Sequence, residues 1–154
     1  MDIYIDNRQE KVEINKKIND IIELVIKEIL LDELNSLEYE ISISLVDNDE
    51  IKTLNKQYRN VDKETDVLSF PMDQEFDIPG ISILGDIIIS MEKALEQAED
   101  FSHSVEREIA YLTAHSVYHL LGYDHMNDEE RYEMREKEKH IMKKLKIFKN
   151  TKEE

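Results

Sequence analysis

Apolar residues recur along the chain at two different spacings, and the switches between them predict an alternation of strands and helices. A strand is expected at residues 3–5, which read IYI, and a helix from about Gln9 to Leu34, where apolar residues recur every three or four positions. The segment YEISISLV, within residues 38–46, alternates with a period of two, which is typical of a strand buried on one face. The chain therefore opens with strand, helix and strand.

Short polar side chains stand immediately before the later helical patterns. Four of them predict helix N-caps: Asp47, Ser90, Ser104 and Asn127. The first of these helices is expected to reach about Asn60, with Glu50 completing a capping box. The second should end near Ala98 and the third near Leu121, while Glu130 offers a further capping box at the start of the last helix.

Two further strands are expected between these helices. Residues 65–70 read TDVLSF and are followed by Pro71, which cannot continue the hydrogen-bonding ladder of a central strand. Residues 73–80 should form a loop, and residues 81–90, ISILGDIIIS, a strand interrupted by Gly85. Because no repeat or linker divides the chain, one domain over residues 1–147 and a charged tail over residues 148–154 are expected.

The composition is that of a folded, soluble protein. The chain has 154 residues, of which 40% are apolar and 36% are charged. No apolar run approaches the roughly 20 residues of a membrane-spanning helix, and the first residues lack a signal-peptide core, so a cytoplasmic location is expected. Since there is no cysteine, a transition metal would need His, Asp or Glu ligands. The formal net charge of -16 counts against nucleic acid as a partner, although local charge can override the total.

Three of the five histidines share a spacing that suits a metal ion. The pattern H-x3-H-x2-G-x2-H runs through His115, His119, Gly122 and His125. Two imidazoles four residues apart project from one helix face, and the glycine can end the helix so that the chain returns the third histidine. Three nitrogen ligands with an open fourth position are typical of catalytic zinc, which lowers the pKa of its bound water to about 7. The chemistry implied is hydrolysis.

The same histidine spacing occurs in the metzincin peptidases, whose glutamate after the first histidine is the general base. Ser116 occupies that position here, and a hydroxyl cannot carry the charge that such a base needs. A metal hydrolase acting on a peptide or small amide is therefore an alternative that Ser116 disfavours. The two remaining histidines, His103 and His140, fall outside the pattern and are expected to face solvent.

The segments HSVYHLLGYDH, YRNVDKETDVLSFP and LGDIIIS resemble the YbeY family of bacterial metal-dependent endoribonucleases, the ribosomal RNA maturation factors. Ser116 and Tyr118 replace the family's usual glycine and leucine, and neither is a ligand. The resemblance implies an α+β zincin-like domain, a small mixed sheet packed with helices, that holds one zinc ion on His115, His119 and His125. It also implies single-strand-specific cleavage of RNA in small-subunit rRNA maturation and ribosome quality control, with the ribosome or ribosomal proteins as partners. A zinc-stabilised, non-catalytic ribosome-assembly protein is the alternative.

The family's functional arginine corresponds to Arg59. A guanidinium near the metal could clamp a phosphate or stabilise its developing charge, whereas pairing with Asp62 or Asp66 is the structural alternative. Basic residues spaced by three and four positions could form a ridge for RNA, or simply a solvated face: Lys52, Lys56, Arg59 and Lys63. Lys56 and Ser69 are accordingly expected to help bind substrate.

Two aspartates could orient the metal-bound imidazoles. Asp86 lies in the LGD turn and Asp124 precedes the third histidine, so either could accept the second N–H of an imidazole, or could only shape a turn. The basic residues at 131–149 are attributed to the dipole at the C-terminal end of the last helix, and no RNA contact is assigned to them.

Overall fold

The computed structural model describes residues 1–72 and 82–147, in which strands and helices alternate at first and two strands and then three helices follow. In chain order they are β1 (Asp2–Asn7), α1 (Lys16–Leu34), β2 (Glu40–Val46), α2 (Asn48–Arg59), β3 (Val67–Pro71), β4 (Ile83–Ser90), α3 (Met91–Asp100), α4 (Val105–Leu120) and α5 (Asp128–Lys144). The strands form one sheet in the order β1-β2-β4-β3, in which only β3 is antiparallel to its neighbour. The expected fold class, a small mixed sheet packed with helices, is confirmed.

The main core lies between one face of the sheet and helices α1 and α4. The alternation predicted in β2 places Ile41, Ile43 and Leu45 on this face, each no more than 1% exposed. Burying each such side chain contributes about 1.5–3 kcal/mol. A second, smaller core of Val46, Ile51 and Leu68 lies on the opposite face, beneath α2. The sheet is therefore covered on both faces, and α4 is held against it along its length.

The four predicted N-caps are confirmed, because each polar side chain accepts a hydrogen bond from a backbone N–H of the following first turn. The capping boxes are only half formed. Glu50 pairs with Arg8 of another segment rather than with its own cap. Glu130 accepts from the backbone N–H of Met126, one residue before the Asn127 cap.

The first helix begins later than its apolar spacing predicts. Asn15 is its N-cap, and its side chain accepts from the N–H of Ile18. Gln9 lies instead in a turn, where its amide nitrogen donates to the carbonyl of Val12 and its amide oxygen accepts from the N–H of Val12. A buried glutamine that satisfies the backbone of its own turn outcompetes the helix over residues 9–14.

Gly85 holds β3 close to β4, opposite Pro71 in the register. Its φ is +146°, and a Cβ atom there would overlap the carbonyl oxygen of Phe70 and press on Leu120 at the end of α4. Only glycine lets these backbones approach so closely. The predicted loop at 73–80 and the tail at 148–154 lie outside the described residues. Among those described, no helix is long and apolar enough to span a membrane.

Candidate active site

The three histidines of the motif line one cleft at the C-terminal end of α4. His115 and His119 are one turn apart on this helix, and the chain turns through Gly122, whose φ is +104°, before it reaches His125. The histidine cleft, as we call it, has a volume of about 360 Å³ and is also lined by residues of α2, β3 and α5. The ring centroids of His115 and His125 are 5.9 Å apart. The predicted return of the third histidine is thus what the structure shows.

Each histidine of α4 has its Nδ1 atom engaged by a buried side chain. Nδ1 of His115 lies 2.6 Å from a carboxylate oxygen of Glu138, and Nδ1 of His119 lies 2.7 Å from the hydroxyl of Ser69. An ionised carboxylate can only accept, so Nδ1 of His115 carries the proton and its Nε2 carries the free lone pair. Partners of this kind fix the orientation of metal-binding imidazoles. Ser69 does line the cleft, but its hydroxyl is already bonded to His119.

Glu138 was not predicted as a histidine partner, since the candidates were Asp86 in the LGD turn and Asp124 next to His125. It lies on α5, is 4% exposed, and shares the inward stripe of that helix with Met134, Ile141 and Met142. A glutamate on an apolar stripe is itself a signal, because a buried carboxylate requires a partner. Tyr111 lies close to Glu138, and burial together with the charge of Glu138 raises the pKa of the Tyr111 phenol.

The two aspartates proposed for this role are placed differently. Asp86 is exposed and alternates along β4 with Gly85 and Ile87, which face α4, so its side chain is on the other face of the sheet and does not reach the histidines. Asp124 is next to His125. Its carboxylate accepts from the N–H of His125 at 2.7 Å and lies 3.4 Å from Nδ1 of the same residue. Asp124 therefore shapes the turn and lies close to the third ring.

The protonation state of His119 suits a metal ligand. Burial lowers the pKa of this imidazole, and the opposing effect of Asp124 is smaller. Its neutral form, which has a lone pair to donate, is therefore favoured. Within residues 1–72 and 82–147, no three His, Asp or Glu side chains converge tightly enough to enclose an ion as they stand. The residues nevertheless suit a metal ion by their chemistry, because three imidazoles line one cleft and two of them are oriented by a partner at Nδ1.

Arg59 reaches the histidine cleft from the last residue of α2. Asn60 ends this helix in the left-handed conformation, with φ +58°, and turns the chain toward β3. One Nη2–H of Arg59 donates to the carbonyl of Ser69 at 3.0 Å, and the guanidinium lies 5.6 Å from the centroid of the Phe70 ring. These contacts hold the guanidinium in the cleft that His119 lines. Because Ser69 takes up one N–H of Arg59, the other guanidinium N–H donors are available to a ligand.

The alternative pairing of Arg59 with an aspartate is not what the structure shows. Within the described residues it forms no ion pair with Asp62 or Asp66, and Lys56 is the residue that lies 3.9 Å from Asp62. Lys56 is exposed and does not line the histidine cleft.

Of the remaining predictions, those for Ser116 and His140 agree with the structure and the one for His103 does not. Ser116 is fully buried, and its hydroxyl has no hydrogen-bond partner among the described residues, so this position cannot present a base to the cleft. His140 is exposed, as expected. His103 does not face solvent: its side chain is only 3% exposed, with Nε2 at 3.3 Å from the buried carboxylate of Glu108.

Comparison with known proteins agrees with this geometry. The chain matches the family model for endoribonuclease YbeY over residues 4–146. It belongs to the endoribonuclease YbeY family. It is 52% identical to endoribonuclease YbeY of Thermoanaerobacter sp. (strain X514), covering 96% of this chain and 99% of that protein, and 49% identical to that of Finegoldia magna, covering 97% of each. The solution structure of TM1509 from Thermotoga maritima is similar over 94% of this chain and 91% of its own, with a TM-score of 0.59 and 28% identity.

Family membership confirms the predicted enzyme class. The chain is a nuclease of the hydrolase class that acts on RNA, and the family supports a role in ribosomal RNA processing. The resemblance seen in the histidine, arginine and LGD segments thus extends over nearly the whole chain.

Proposed function

We propose that this endoribonuclease is zinc-dependent and cleaves single-stranded RNA, and that it acts in the cytoplasm on small-subunit ribosomal RNA and in ribosome quality control. One observation carries the proposal. Three histidines line a single cleft beside Arg59, whose guanidinium forms no ion pair with the described carboxylates. Metal ligands next to a phosphate-binding cation are suited to metal-assisted cleavage of a phosphodiester.

The roles of the residues follow from their placement. His115, His119 and His125 would hold the zinc ion through nitrogen, with Glu138 and Ser69 orienting two of the rings. Zinc, when bound, supplies a Lewis acid and lowers the pKa of a coordinated water to about 7. Arg59 binds a non-bridging phosphate oxygen through the N–H groups that Ser69 leaves free, which positions the phosphodiester and stabilises the charge that develops on it.

The test is cleavage of matched single-stranded and duplex RNA by purified, zinc-loaded protein. We expect cleavage of the single strand, which is lost with a chelator and in His119→Ala. A matched control is His140→Ala, because this exposed histidine of α5 lies outside the cleft and should leave cleavage intact. Arg59→Ala should lower kcat by about 100-fold without changing zinc content, as for other groups that stabilise transition-state charge.

Other outcomes would indicate other functions. If Arg59→Glu leaves every measured activity unchanged and chelation mainly lowers the melting temperature, the metal stabilises an assembly protein rather than supplying catalysis. If the parent cleaves peptides, the burial of Ser116 away from the cleft has been misinterpreted.

A further inference from the structure

Two arginines of α5 line a second depression next to the histidine cleft. The α5 depression, as we call it, has a volume of about 200 Å³, and Arg131 and Arg135 form one wall of it. It shares His115, His125 and Met134 with the histidine cleft, so the two spaces meet at the histidines. Arg59 lines only the histidine cleft, on the side of α2 and β3, whereas Arg131 and Arg135 line only the α5 depression.

This placement of charge is unexpected in so acidic a chain. The formal net charge is -16 and there are five arginines, of which three line these two adjoining spaces: Arg59, Arg131 and Arg135. Two glutamates of α5, Glu130 and Glu133, line a different groove together with Glu33, and this groove meets the histidine cleft at Asp124. On α5, both arginines therefore face the histidines together with the buried Glu138, whereas Glu130 and Glu133 face the neighbouring groove.

The helix dipole does not account for these arginines. α5 begins at Asp128, so Arg131 lies in the first turn, where the dipole disfavours a cation. The dipole explains the lysines at 143 and 144 but not Arg131. Arg131 and Arg135 are also one turn apart, and like charges at that spacing destabilise an isolated helix. An anion bound between them would offset both effects.

Neither arginine is firmly committed within the protein. Arg131 lies 3.5 Å from Asp128, but both side chains are at least half exposed, and such surface pairs contribute little. Arg135 makes no ion pair with the described residues. Glu138, a carboxylate that lines the α5 depression, is already bonded to His115. The guanidinium groups are thus available to an external anion.

We propose that Arg131 and Arg135 bind a backbone phosphate of the RNA, next to the phosphate at the histidines. This inference rests on the proposed function. The strand then crosses the histidines between Arg59 on one side and the arginine pair on the other. Guanidinium groups bind phosphate through two parallel N–H donors, so the pair recognises the backbone rather than any base. The subsite serves only an RNA long enough to reach past the reacting phosphodiester.

The test compares Arg131→Gln/Arg135→Gln with Lys16→Gln/Lys17→Gln, a pair of exposed residues at the start of α1 that lines neither space and changes the net charge equally. For a long single-stranded RNA, kcat/KM of the arginine variant should fall about tenfold, mainly through KM, because a charge-assisted phosphate contact is lost. The dependence of log(kcat/KM) on log salt concentration should become shallower by about 0.7, the value for one phosphate of a single strand.

Cleavage of the shortest oligonucleotide that the parent accepts distinguishes loss of a subsite from a general effect of the substitutions on activity. On this substrate, the arginine variant should match the parent, and Arg131→Lys/Arg135→Lys should retain most of the salt dependence on the long RNA. Two results would overturn the subsite without contradicting the nuclease activity. One is an equal loss on both substrates, and the other is an arginine-to-glutamine variant that matches Lys16→Gln/Lys17→Gln on the long RNA. If the zinc-loaded, folded parent cleaves neither substrate, the proposed function and this subsite both fail.

Discussion

Replacing Glu138 by glutamine tests whether this residue tunes the proposed metal site. The substitution keeps the shape of the side chain and an oxygen that can accept from Nδ1–H of His115, but it removes the negative charge. The hydrogen bond it alters is short, 2.6 Å, and the Glu138 side chain is only 6% exposed. The change therefore affects the basicity of the imidazole more than the position of its ring.

The expected loss of metal affinity can be bounded. Loss of an outer partner of a metal-binding histidine lowers affinity by about 10–100-fold, which corresponds to about 1.4–2.8 kcal/mol. The metal-free protein should lose only about 1 kcal/mol, since one charged hydrogen bond becomes a neutral one. The effect on zinc binding should thus exceed the effect on the fold.

Zinc affinity is measured by competition with a chromophoric chelator, and the stability of the metal-free protein by urea denaturation. Glu136→Gln is the matched control, because Glu136 is an exposed residue of the same helix whose one ion pair within residues 1–72 and 82–147 is with Lys139. We expect the control to bind zinc as the parent does. If folded Glu138→Gln binds zinc within about twofold of the parent's affinity, the role assigned to Glu138 is refuted.

Three further outcomes are expected. Ser69→Ala should lower the free energy of unfolding by about 1–3 kcal/mol in urea, because Nδ1 of His119 loses its buried partner. Gly85→Ala should destabilise the protein by about 3 kcal/mol or more, by thermal melting, since its φ of +146° and the carbonyl of Phe70 leave no room for a Cβ. Burial raises the pKa of the Glu108 carboxyl, so its contribution to stability is present below its ordinary pKa and is lost as pH rises through the raised one. Urea titrations at several pH values should therefore show Glu108→Gln gaining stability relative to the parent as pH increases.

Local features of the fold were predictable because local interactions decide them. A short polar side chain before an apolar period caps a helix through its own first turn, and all four such predictions hold. The period of two in β2 likewise sets which of its residues are buried. The start of α1 was not predictable in this way. Apolar spacing extends the helix back to Gln9, while the turn that Gln9 closes with Val12 competes through hydrogen bonds that spacing does not register.

The meeting of the three histidines in one cleft was predictable, but their hydrogen-bond partners were not. His115, His119 and His125 lie within eleven residues of one another, so helix geometry and one glycine turn bring them to the same cleft. Their partners come from distant segments. Ser69 is 50 residues before His119, and Glu138 belongs to the next helix, so each contact depends on how whole elements pack. The LGD turn and the position next to His125 suggested Asp86 and Asp124, whereas Glu138 lies on a separate helix whose packing against α4 is not encoded in local spacing.

The position of the charges matters more for RNA recognition than their sum. At physiological salt a surface charge acts over roughly 8 Å, so a phosphate in the histidine cleft responds to the side chains around it rather than to the whole surface. Lysines far from the cleft are neutralised locally, as in the pairs of Lys93 with Glu64 and of Lys144 with Asp32. Arg59 and Arg135 form no ion pair with the described carboxylates and flank the three histidines. A strongly acidic protein can thus present a cationic path to one strand of RNA while its remaining surface repels nucleic acid that does not enter the cleft.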